Sequence, residues 1–560
     1  MADLLCELSV LVLDCQASGA TPLHGDLLEL GWAMSSATQL LAPVRSHWVE
    51  PRTARPVPRA VRELTGWSSA CLRDALSESD AWAALREDMR RATGGSSALP
   101  TAIHYARFEL PFLRDLSERL EPAAPFPFDT VDLHTIGTRL YPDLPRRSIR
   151  ALAGFLGHAP ELMRRAAGHV EASAFIWRAV VPVLAQQGVV SWSDLQQWLV
   201  ERPATVRRTG RVYPLLPERR RSLPDRPGVY RFVRLHGDIL YVGKAASLKK
   251  RVASHFARAG RPTERNLEML TQVHDIDATE TASVLEAALL ETDEIKRIDP
   301  PYNVQLRAGE RSAWFAARDL THACAAPDLT YRVGPLPSEH ALVPLAALIA
   351  LAAGVPAAPL LQAQALAVSM RELPEAGLFE QGFADFAAEH LTASGPAAQQ
   401  VDRAARKLWL ERGRREVEVA SEDVLAPVWD LARVRRRLER NLIQSGLLQR
   451  RARFLCLLAD ADVAYRELDM ERARALCIAG CDIASRHDLA SVDELARLPA
   501  RWPGSLQQRQ RSFDAAGYDR LRVLATELRR VRDDGGEVAL RIGLHLSLGE
   551  QLDRLLRALY

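Results

Sequence analysis

Residues 227–244 read PGVYRFVRLHGDILYVGK, and this stretch predicts a β-hairpin. Gly228–Phe232 and Ile239–Lys244 are rich in β-branched and aromatic residues, and the His-Gly-Asp between them is a turn sequence. Two antiparallel strands would bring Tyr230 and Tyr241 close together. The hairpin begins a small α/β unit that we expect to cover residues 223–308.

Two helices are predicted after the hairpin. Ser247 is a typical N-cap, and the helix that follows places Arg251 and His255 one turn apart on one face. A second helix, at about 282–297, carries Glu291. Ordinary structural roles are open for these residues: the tyrosines could be half-buried strand aromatics, and Glu291 a surface acid.

Positive charge is concentrated in the same part of the chain. Residues 219–265 hold 13 Lys and Arg against three Asp and Glu, a net charge of +10, whereas the whole chain carries +3. Four of the five lysines lie between Lys244 and Lys296. A protein that binds a phosphate backbone is expected to carry such a patch, although a solvated Arg-rich face would have the same composition.

The order of these residues resembles the signature of the GIY-YIG nucleases. Gly228-Val-Tyr230 and Tyr241-Val-Gly243 match the two tripeptides that give the family its name. The resemblance is closest to the N-terminal incision domain of UvrC-type excision nucleases and to Cho-type endonucleases. It is extended by Lys244, Arg251, Glu291 and Tyr302-Asn303-Val304.

The resemblance implies a metal-dependent cleavage site. Glu291 would bind Mg²⁺ or Mn²⁺, and Arg251 would clamp the scissile phosphate. Either Tyr230 or Tyr241 would deprotonate the attacking water; we favour Tyr241, which is nearer in sequence to the catalytic Lys244. Further substrate contacts are expected from Lys249, Lys250 and His255, and Asn303 would bind phosphate or fix the active-site loop.

The N-terminal residues 1–188 predict a mixed sheet covered by helices. Three strand patterns, at 8–14, 26–34 and 46–50, precede a series of helical patterns. The segment Leu11–Gly19 resembles the first motif of DnaQ-like (DEDDh) 3′–5′ exonucleases, and later segments fit the same family. The resemblance implies an RNase H-like fold.

The acidic site of that exonuclease family is altered in this chain. Asp14 is retained, but Gln16 and Glu109 replace a Glu and an Asp. Arg164 stands at the position of the catalytic His, and His169 at that of the last Asp. We therefore predict that exonuclease activity has been lost, because a neutral side chain and cations oppose binding of two metal ions.

The opposite outcome, an active polymerase III epsilon-like exonuclease, stays open at this point. Asp132 or Glu171 could supply a replacement ligand for one metal ion. A third hypothesis is a non-catalytic DNA-binding scaffold in which neither the GIY-YIG site nor the exonuclease-like site is active. The favoured reading is a DNA endonuclease of excision-type repair with an inactive exonuclease-like domain.

The remaining segments are less specific. Residues 189–222 are predicted to be an Arg/Pro-rich linker, and residues 309–560 to be mostly helical. The basic residues around Trp409 and between Arg433 and Arg440 fit either a DNA-binding surface or a charged solvent face. The uncharged stretch 341–361 contains prolines and is interpreted as a buried helix, not a membrane span.

The expected context is a cytoplasmic protein that acts on DNA. The seven scattered cysteines contain no CxxC pair, which argues against a disulfide framework or a zinc site. No GxxxxGK[ST] loop occurs, so no nucleotide cofactor is expected. The partners would be DNA and, beyond it, repair or replication proteins.

Overall fold

The chain divides into two compact units. The computed structural model describes residues 4–53, 55–93, 98–158, 163–201, 211–257, 262–304, 306, 313–362, 374–391, 394–412, 429–549 and 551–552. Unit 1 consists of residues 1–225, 230–241 and 248–278, and unit 2 of residues 226–229, 242–247 and 279–560.

Unit 1 is built on a five-stranded mixed sheet. Its strand order is β3-β2-β1-β4-β5; β1, β2 and β3 pair antiparallel, whereas β4 and β5 run parallel to β1. This confirms the predicted RNase H-like arrangement. The strands are β1 (Val10–Ala17), β2 (Leu27–Ser35), β3 (Arg45–Trp48), β4 (Leu99–Ile103) and β5 (Phe128–Asp132).

Helices cover both faces of this sheet. Along β1, Val10 and Val12 enter the core that contains Trp177, whereas Leu11 and Leu13 enter the opposite core with Trp82. Strands buried on both faces are expected to be apolar, as the first half of β1 (Val10–Leu13) is. The helices are α1 (Arg59–Thr65), α2 (Glu78–Thr93), α3 (Ala106–Leu120), α4 (Leu133–Leu140), α5 (Ile149–Phe155), α6 (Ala166–Gln186), α7 (Trp192–Val200) and α8 (Pro217–Arg221).

The linker predicted at residues 189–222 starts too early, because residues 192–200 form helix α7. Its Trp192 and Leu195 are buried in the core of unit 1, so the chain is still part of the fold beyond residue 189. The helix begins with a capping box in which Ser191 accepts the Asp194 amide, a local signal that the Arg/Pro-rich composition downstream obscured. Residues 202–210, the centre of that linker, lie outside the described residues.

The predicted hairpin is confirmed as part of a three-stranded sheet with order β7-β6-β8. The division between the units passes along these strands, so each residue is described below with its own unit. The elements are β6 (Gly228–Val233), β7 (Ile239–Ala245), α9 (Leu248–His255), α10 (Glu264–Thr271), β8 (Asp275–Glu280) and α11 (Val284–Ile298).

Unit 2 continues with a small sheet and a group of helices. The sheet has the order β10-β9-β11, and the helices share one apolar core with it. The uncharged stretch 341–361, predicted to be a buried helix, forms α12 and most of α13. The elements are β9 (Trp314–Ala317), β10 (Ala323–Cys324), β11 (Tyr331–Leu336), α12 (Val343–Ala352), α13 (Ala357–Gln362), α14 (Ala376–His390), α15 (Ala397–Arg412) and α16 (Leu431–Leu458).

The C-terminal region is mostly helical, as expected, but it also contains a five-stranded antiparallel sheet that no sequence pattern predicted. The strand order is β14-β13-β12-β15-β16. Its elements are β12 (Asp462–Arg466), β13 (Ala473–Ala479), β14 (Asp482–Leu489), α17 (Leu506–Arg511), α18 (Ala515–Asp533), β15 (Glu537–Ile542) and β16 (His545–Ser547).

Helix α11 is embedded in this C-terminal region. Leu285 and Leu289 of α11 belong to the same apolar core as Leu521 and Leu524 of α18. The helix that carries Glu291 is therefore fixed by packing against residues more than 200 positions later in the chain. Within the described part of the chain, no helix combines the length and apolarity needed to cross a bilayer.

Candidate functional site

In unit 2, Glu291 is held by the backbone of β7. Ser283 caps the start of α11 by accepting the Glu286 amide at 3.1 Å, and Glu291 lies two turns further on, half-buried. Its Oε1 accepts the backbone N–H of Lys244 at 2.9 Å. This hydrogen bond holds the carboxylate on α11 beside the end of β7.

Asn303 fixes the same strand. Its Oδ1 accepts the Val242 amide at 3.0 Å, and its Nδ2 donates to the Val242 carbonyl at 2.9 Å. The residue is buried, so its amide group is used to anchor β7. Of the two roles expected for Asn303, the structure thus favours positioning over a phosphate contact.

The side chain of Lys244 points to a residue that the sequence did not reveal. Its ammonium group forms an ion pair with Glu527 on α18, 283 residues later. No motif marks Glu527, because it is one of several acids on an amphipathic helix with no local feature. Only the packing of α18 against α11 brings it to β7.

In unit 1, the two tyrosines and His255 form an aromatic cluster. The Tyr230 hydroxyl lies 2.7 Å from Nε2 of His255. The Tyr241 ring centroid is 6.0 Å from that of Tyr230 and 6.1 Å from that of His255. Tyr230 is fully buried, whereas Tyr241 is half-buried.

His255 is neutral at physiological pH. Burial, assisted by the positive charge of Arg251, lowers its pKa to about 4. A neutral imidazole has one nitrogen that can accept a hydrogen bond, so the Tyr230 hydroxyl can donate to it. The histidine predicted to contact substrate is therefore engaged with a tyrosine.

The predicted phosphate-binding cations lie on the exposed face of α9. Arg251, Lys249 and Lys250 are all exposed, and the Lys250 ammonium lies 3.4 Å from the carboxylate of Asp225. Exposed cations on one short helix can reach a polyanion without disturbing the core. Unit 1 thus groups Tyr230, Tyr241, Lys249, Lys250, Arg251 and His255, and unit 2 groups Lys244, Glu291 and Asn303.

A second cluster lies in the exonuclease-like part of unit 1. A cavity of about 590 Å³ is lined by all five residues that the sequence assigned to the altered acidic site. His104, Tyr105, Phe108 and Arg147 also line it. The five predicted residues are Asp14, Gln16, Glu109, Arg164 and His169.

In this cavity an imidazole faces the retained aspartate. His169 Nδ1 lies 3.0 Å from Asp14 Oδ1, and its Nε2 lies 3.2 Å from the Met163 carbonyl. Burial alone would lower the pKa of His169, but the Asp14 carboxylate and the Met163 carbonyl raise it to about 9. His169 is therefore an imidazolium that neutralises Asp14.

The other positions also fail to supply negative charge. Burial, with the nearby charge of Asp14, raises the pKa of Glu109 well above its usual range, which disfavours the ionised carboxylate. The Gln16 amide donates to the Arg164 carbonyl at 2.8 Å. These donors do not fit a two-metal centre, which needs several ionised carboxylates.

Neither of the two acids proposed as replacement ligands lines this cavity. Asp132 caps α4, accepting the His134 amide at 3.0 Å, and also accepts the Tyr105 amide at 2.9 Å. Glu171 is exposed and does not line the cavity. Among the described residues, no group of three or more His, Cys, Asp and Glu is arranged to hold a metal ion.

Two basic residues of α16, Arg433 and Arg435, contact other residues of the fold. Arg435 pairs with Glu389 and Glu439, and the Arg433 guanidinium lies 4.4 Å from the ring centroid of Trp429. These contacts weigh against the DNA-binding interpretation for Arg433 and Arg435. The side chain of Trp409 lies outside the described residues.

Comparison with known proteins finds both regions. The family described as the UvrC-like GIY-YIG domain matches residues 226–304. UvrABC system protein C of Alkalilimnicola ehrlichii is 44% identical over 132 residues, which cover 22% of this chain and 21% of that protein. A Mycobacterium tuberculosis protein, provisionally named a bifunctional exonuclease/endonuclease, is 31% identical over 257 residues, 45% of this chain and 39% of that protein.

Solved structures are also similar over parts of the chain. The magnesium-bound N-terminal GIY-YIG endonuclease domain of UvrC from Thermotoga maritima is 30% identical, covering 16% of this chain and 93% of that one, with a TM-score of 0.14. E. coli exonuclease I bound to a dA16 oligonucleotide is 13% identical, covering 40% and 48%, with a TM-score of 0.29.

The matched segments are a minor part of the relatives, about a fifth of the UvrC protein and two fifths of the mycobacterial one. The chain thus joins an exonuclease-like N-terminal region to a UvrC-like GIY-YIG region at residues 226–304.

Proposed function

We propose that this protein is a metal-dependent DNA endonuclease that hydrolyses phosphodiester bonds at its GIY-YIG site. The observation that carries the proposal is Glu291: a carboxylate at the position of the family's metal ligand, on a packed helix, oriented by the Lys244 amide at 2.9 Å. The dense basic charge of residues 219–265 supports a nucleic-acid substrate.

Glu291 is the residue that would hold the ion. A single fixed carboxylate suits Mg²⁺, which keeps several water ligands and uses only one or two protein carboxylates, and Mn²⁺ accepts the same ligands. When bound, the ion supplies positive charge that offsets the charge developing on the phosphate.

The other residues bind the phosphate and move a proton. Arg251, exposed on α9, binds the scissile phosphate through its planar guanidinium. Tyr241, half-buried and therefore reachable by water, takes a proton from the attacking water molecule. Tyr230 is held by its hydrogen bond to neutral His255 and keeps the shape of the cluster.

The setting we propose is excision-type DNA repair. The support is the similarity of residues 226–304 to a domain of proteins named UvrABC system protein C. Because the sequence contains no ATP-binding loop of the GxxxxGK[ST] type, nucleotide-driven damage search would be supplied by partner repair or replication proteins.

We further propose that the exonuclease-like region has no exonuclease activity and serves as a structural or DNA-docking module. His169 occupies the place of a metal-binding aspartate and bonds the one retained acid, Asp14. Gln16 has no charge to offer a metal ion. This region would contribute the wall of a 590 Å³ cavity instead of a catalytic centre.

Nicking of supercoiled plasmid in Mg²⁺ tests the endonuclease. Glu291→Gln and Arg251→Ala are each expected to lower the rate by about 100-fold or more while DNA binding persists, since they remove transition-state contacts. Glu280→Gln, which changes an exposed acid at the end of β8, is the control. Wild-type nicking by both variants would show that the site is assigned wrongly.

The exonuclease question needs a separate substrate. Single-stranded DNA labelled at its 5′ end, incubated with Mn²⁺, should keep its 3′ end intact. Shortening that persists in Glu291→Ala but disappears in Asp14→Ala would mean that the N-terminal region is an active exonuclease.

A further inference from the structure

Glu527 is a buried carboxylate on α18 that contacts the GIY-YIG region. Only 6% of its side chain is exposed, and its Oε1 forms the ion pair with the Lys244 ammonium. Burying an unpaired carboxylate costs free energy. The ion pair with Lys244 is therefore part of how α18 packs, and not a chance contact at the surface. Residue 527 lies 223 positions beyond the end of the matched GIY-YIG segment at residue 304.

A second pair of contacts joins Glu527 to the start of α11. Arg530 donates to Glu527 Oε2 and to Glu467 Oε1, both at 2.6 Å. The Glu467 carboxylate in turn accepts the backbone amides of Val284 and Leu285, each at 3.2 Å. A carboxylate at this end of a helix is favourable because the unpaired amides there carry partial positive charge.

These contacts form a closed chain around Glu291. Glu467 fixes the first turn of α11, Arg530 and Glu527 link it to the Lys244 side chain, and the Lys244 backbone amide binds Glu291 on the same helix. The position of Glu291 relative to Lys244 is therefore defined twice, once by β7 and once by α18.

We propose that Glu527 is a positioning residue of the nuclease site. The C-terminal region would then contribute to endonuclease activity by orienting the side chain of Lys244. This inference rests on the proposed endonuclease function. An ammonium group has three N–H donors, and Glu527 uses one, which orients the other two. About a third of the Lys244 side chain remains exposed, so the ammonium can still reach a phosphate oxygen.

Arg530 keeps this arrangement compatible with an anionic substrate. Its guanidinium pairs with Glu527 as well as with Glu467, so the Lys244 ammonium is not the only cation beside the buried Glu527 carboxylate. Lys244 can therefore contact DNA while Glu527 keeps one cationic partner.

The test compares nicking kinetics of Glu527→Gln, Lys244→Ala and the double variant in the full chain. Glu527→Gln keeps the shape of the side chain and removes its charge. We expect kcat to fall about tenfold, with KM for DNA changed less than about twofold, a size typical of coupling between contacting residues. In the Lys244→Ala background the same change should have no further effect, because Glu527 acts through Lys244.

Asp533→Asn is the matched control. Asp533 is an exposed acid on the same helix that pairs with Arg529 at 3.2 Å, so its loss should leave kcat unchanged. Two results would overturn the inference: a Glu527→Gln rate equal to or above that of the wild type, or losses that simply add in the double variant.

A second measurement does not depend on activity. Labelling of Lys244 by an N-hydroxysuccinimide ester, followed by peptide mass spectrometry, should be faster in Glu527→Gln than in the wild type or in Asp533→Asn, because the ion pair shields the amine. Equal labelling would refute the contact. If Glu291→Gln abolishes nicking and Glu527→Gln does not, only the inference fails; if Glu291→Gln nicks normally, the proposed function fails.

Discussion

The Asp14–His169 pair should make the stability of the N-terminal region depend on pH. The difference between the ordinary histidine pKa of 6.5 and the folded value of about 9 corresponds to about 3 kcal/mol, since one pKa unit is worth about 1.4 kcal/mol. Three quarters of the His169 side chain is shielded from solvent, so most of this free energy should be observed.

The direction follows from which state holds the proton more tightly. The folded protein binds it more tightly than the unfolded chain, so the stabilisation is complete below pH 6.5 and is lost as the pH rises through about 9. The raised pKa of Glu109 also makes the free energy of unfolding fall as the pH rises above 4.5, which is the ordinary pKa of a glutamate. A pH series on the wild type alone would therefore combine the contributions of His169 and Glu109 to the free energy of unfolding.

The variant His169→Gln separates them. Urea unfolding followed by tryptophan fluorescence gives the free energy of unfolding of the full chain for wild type and variant at pH 6 and pH 10. The contribution of Glu109 is common to both proteins, so the difference between them reports His169. We expect the advantage of the wild type to shrink by about 3 kcal/mol between the two pH values.

A direct titration provides the check. In protein labelled with ¹³C at histidine Cε1, the resonance that is missing in His169→Gln should titrate near pH 9, and Asp14→Asn should move it below 7. A wild-type midpoint below 7, or a pH-independent difference in unfolding free energy, would refute the view that an imidazolium has replaced a metal ion beside Asp14.

Two further predictions concern the GIY-YIG region and its packing. Tyr241→Phe should lower the nicking rate by about 100-fold or more, the contribution of a general base, whereas Tyr230→Phe should mainly cost about 1 kcal/mol of stability through its lost bond to His255; time courses and thermal melting distinguish the two. Lys296→Met removes an ammonium 2.8 Å from the fully buried carboxylate of Asp519, and urea unfolding should show a loss of about 3 kcal/mol.

Local sequence patterns were sufficient for much of the fold. The alternation of β-forming residues and the His-Gly-Asp turn predicted the hairpin now seen as β6 and β7, because hairpin formation depends on neighbouring residues. The apolar run 8–14 predicted the central strand β1. The strand β13 was missed: its sequence ARALCIA has the Ala and Leu content of a helix, and pairing with β12 and β14 overrides that preference.

By itself the sequence determined which chemical groups are present: a tyrosine pair, an arginine, a single helical glutamate, and an exonuclease-like site short of acids. Only the tertiary structure decided what those groups contact. It joined Lys244 to Glu527 and Asp14 to His169, pairs that are 283 and 155 residues apart. Buried charges must find partners wherever packing brings opposite charges together, and packing at such distances is a property of the whole fold and not of any local pattern.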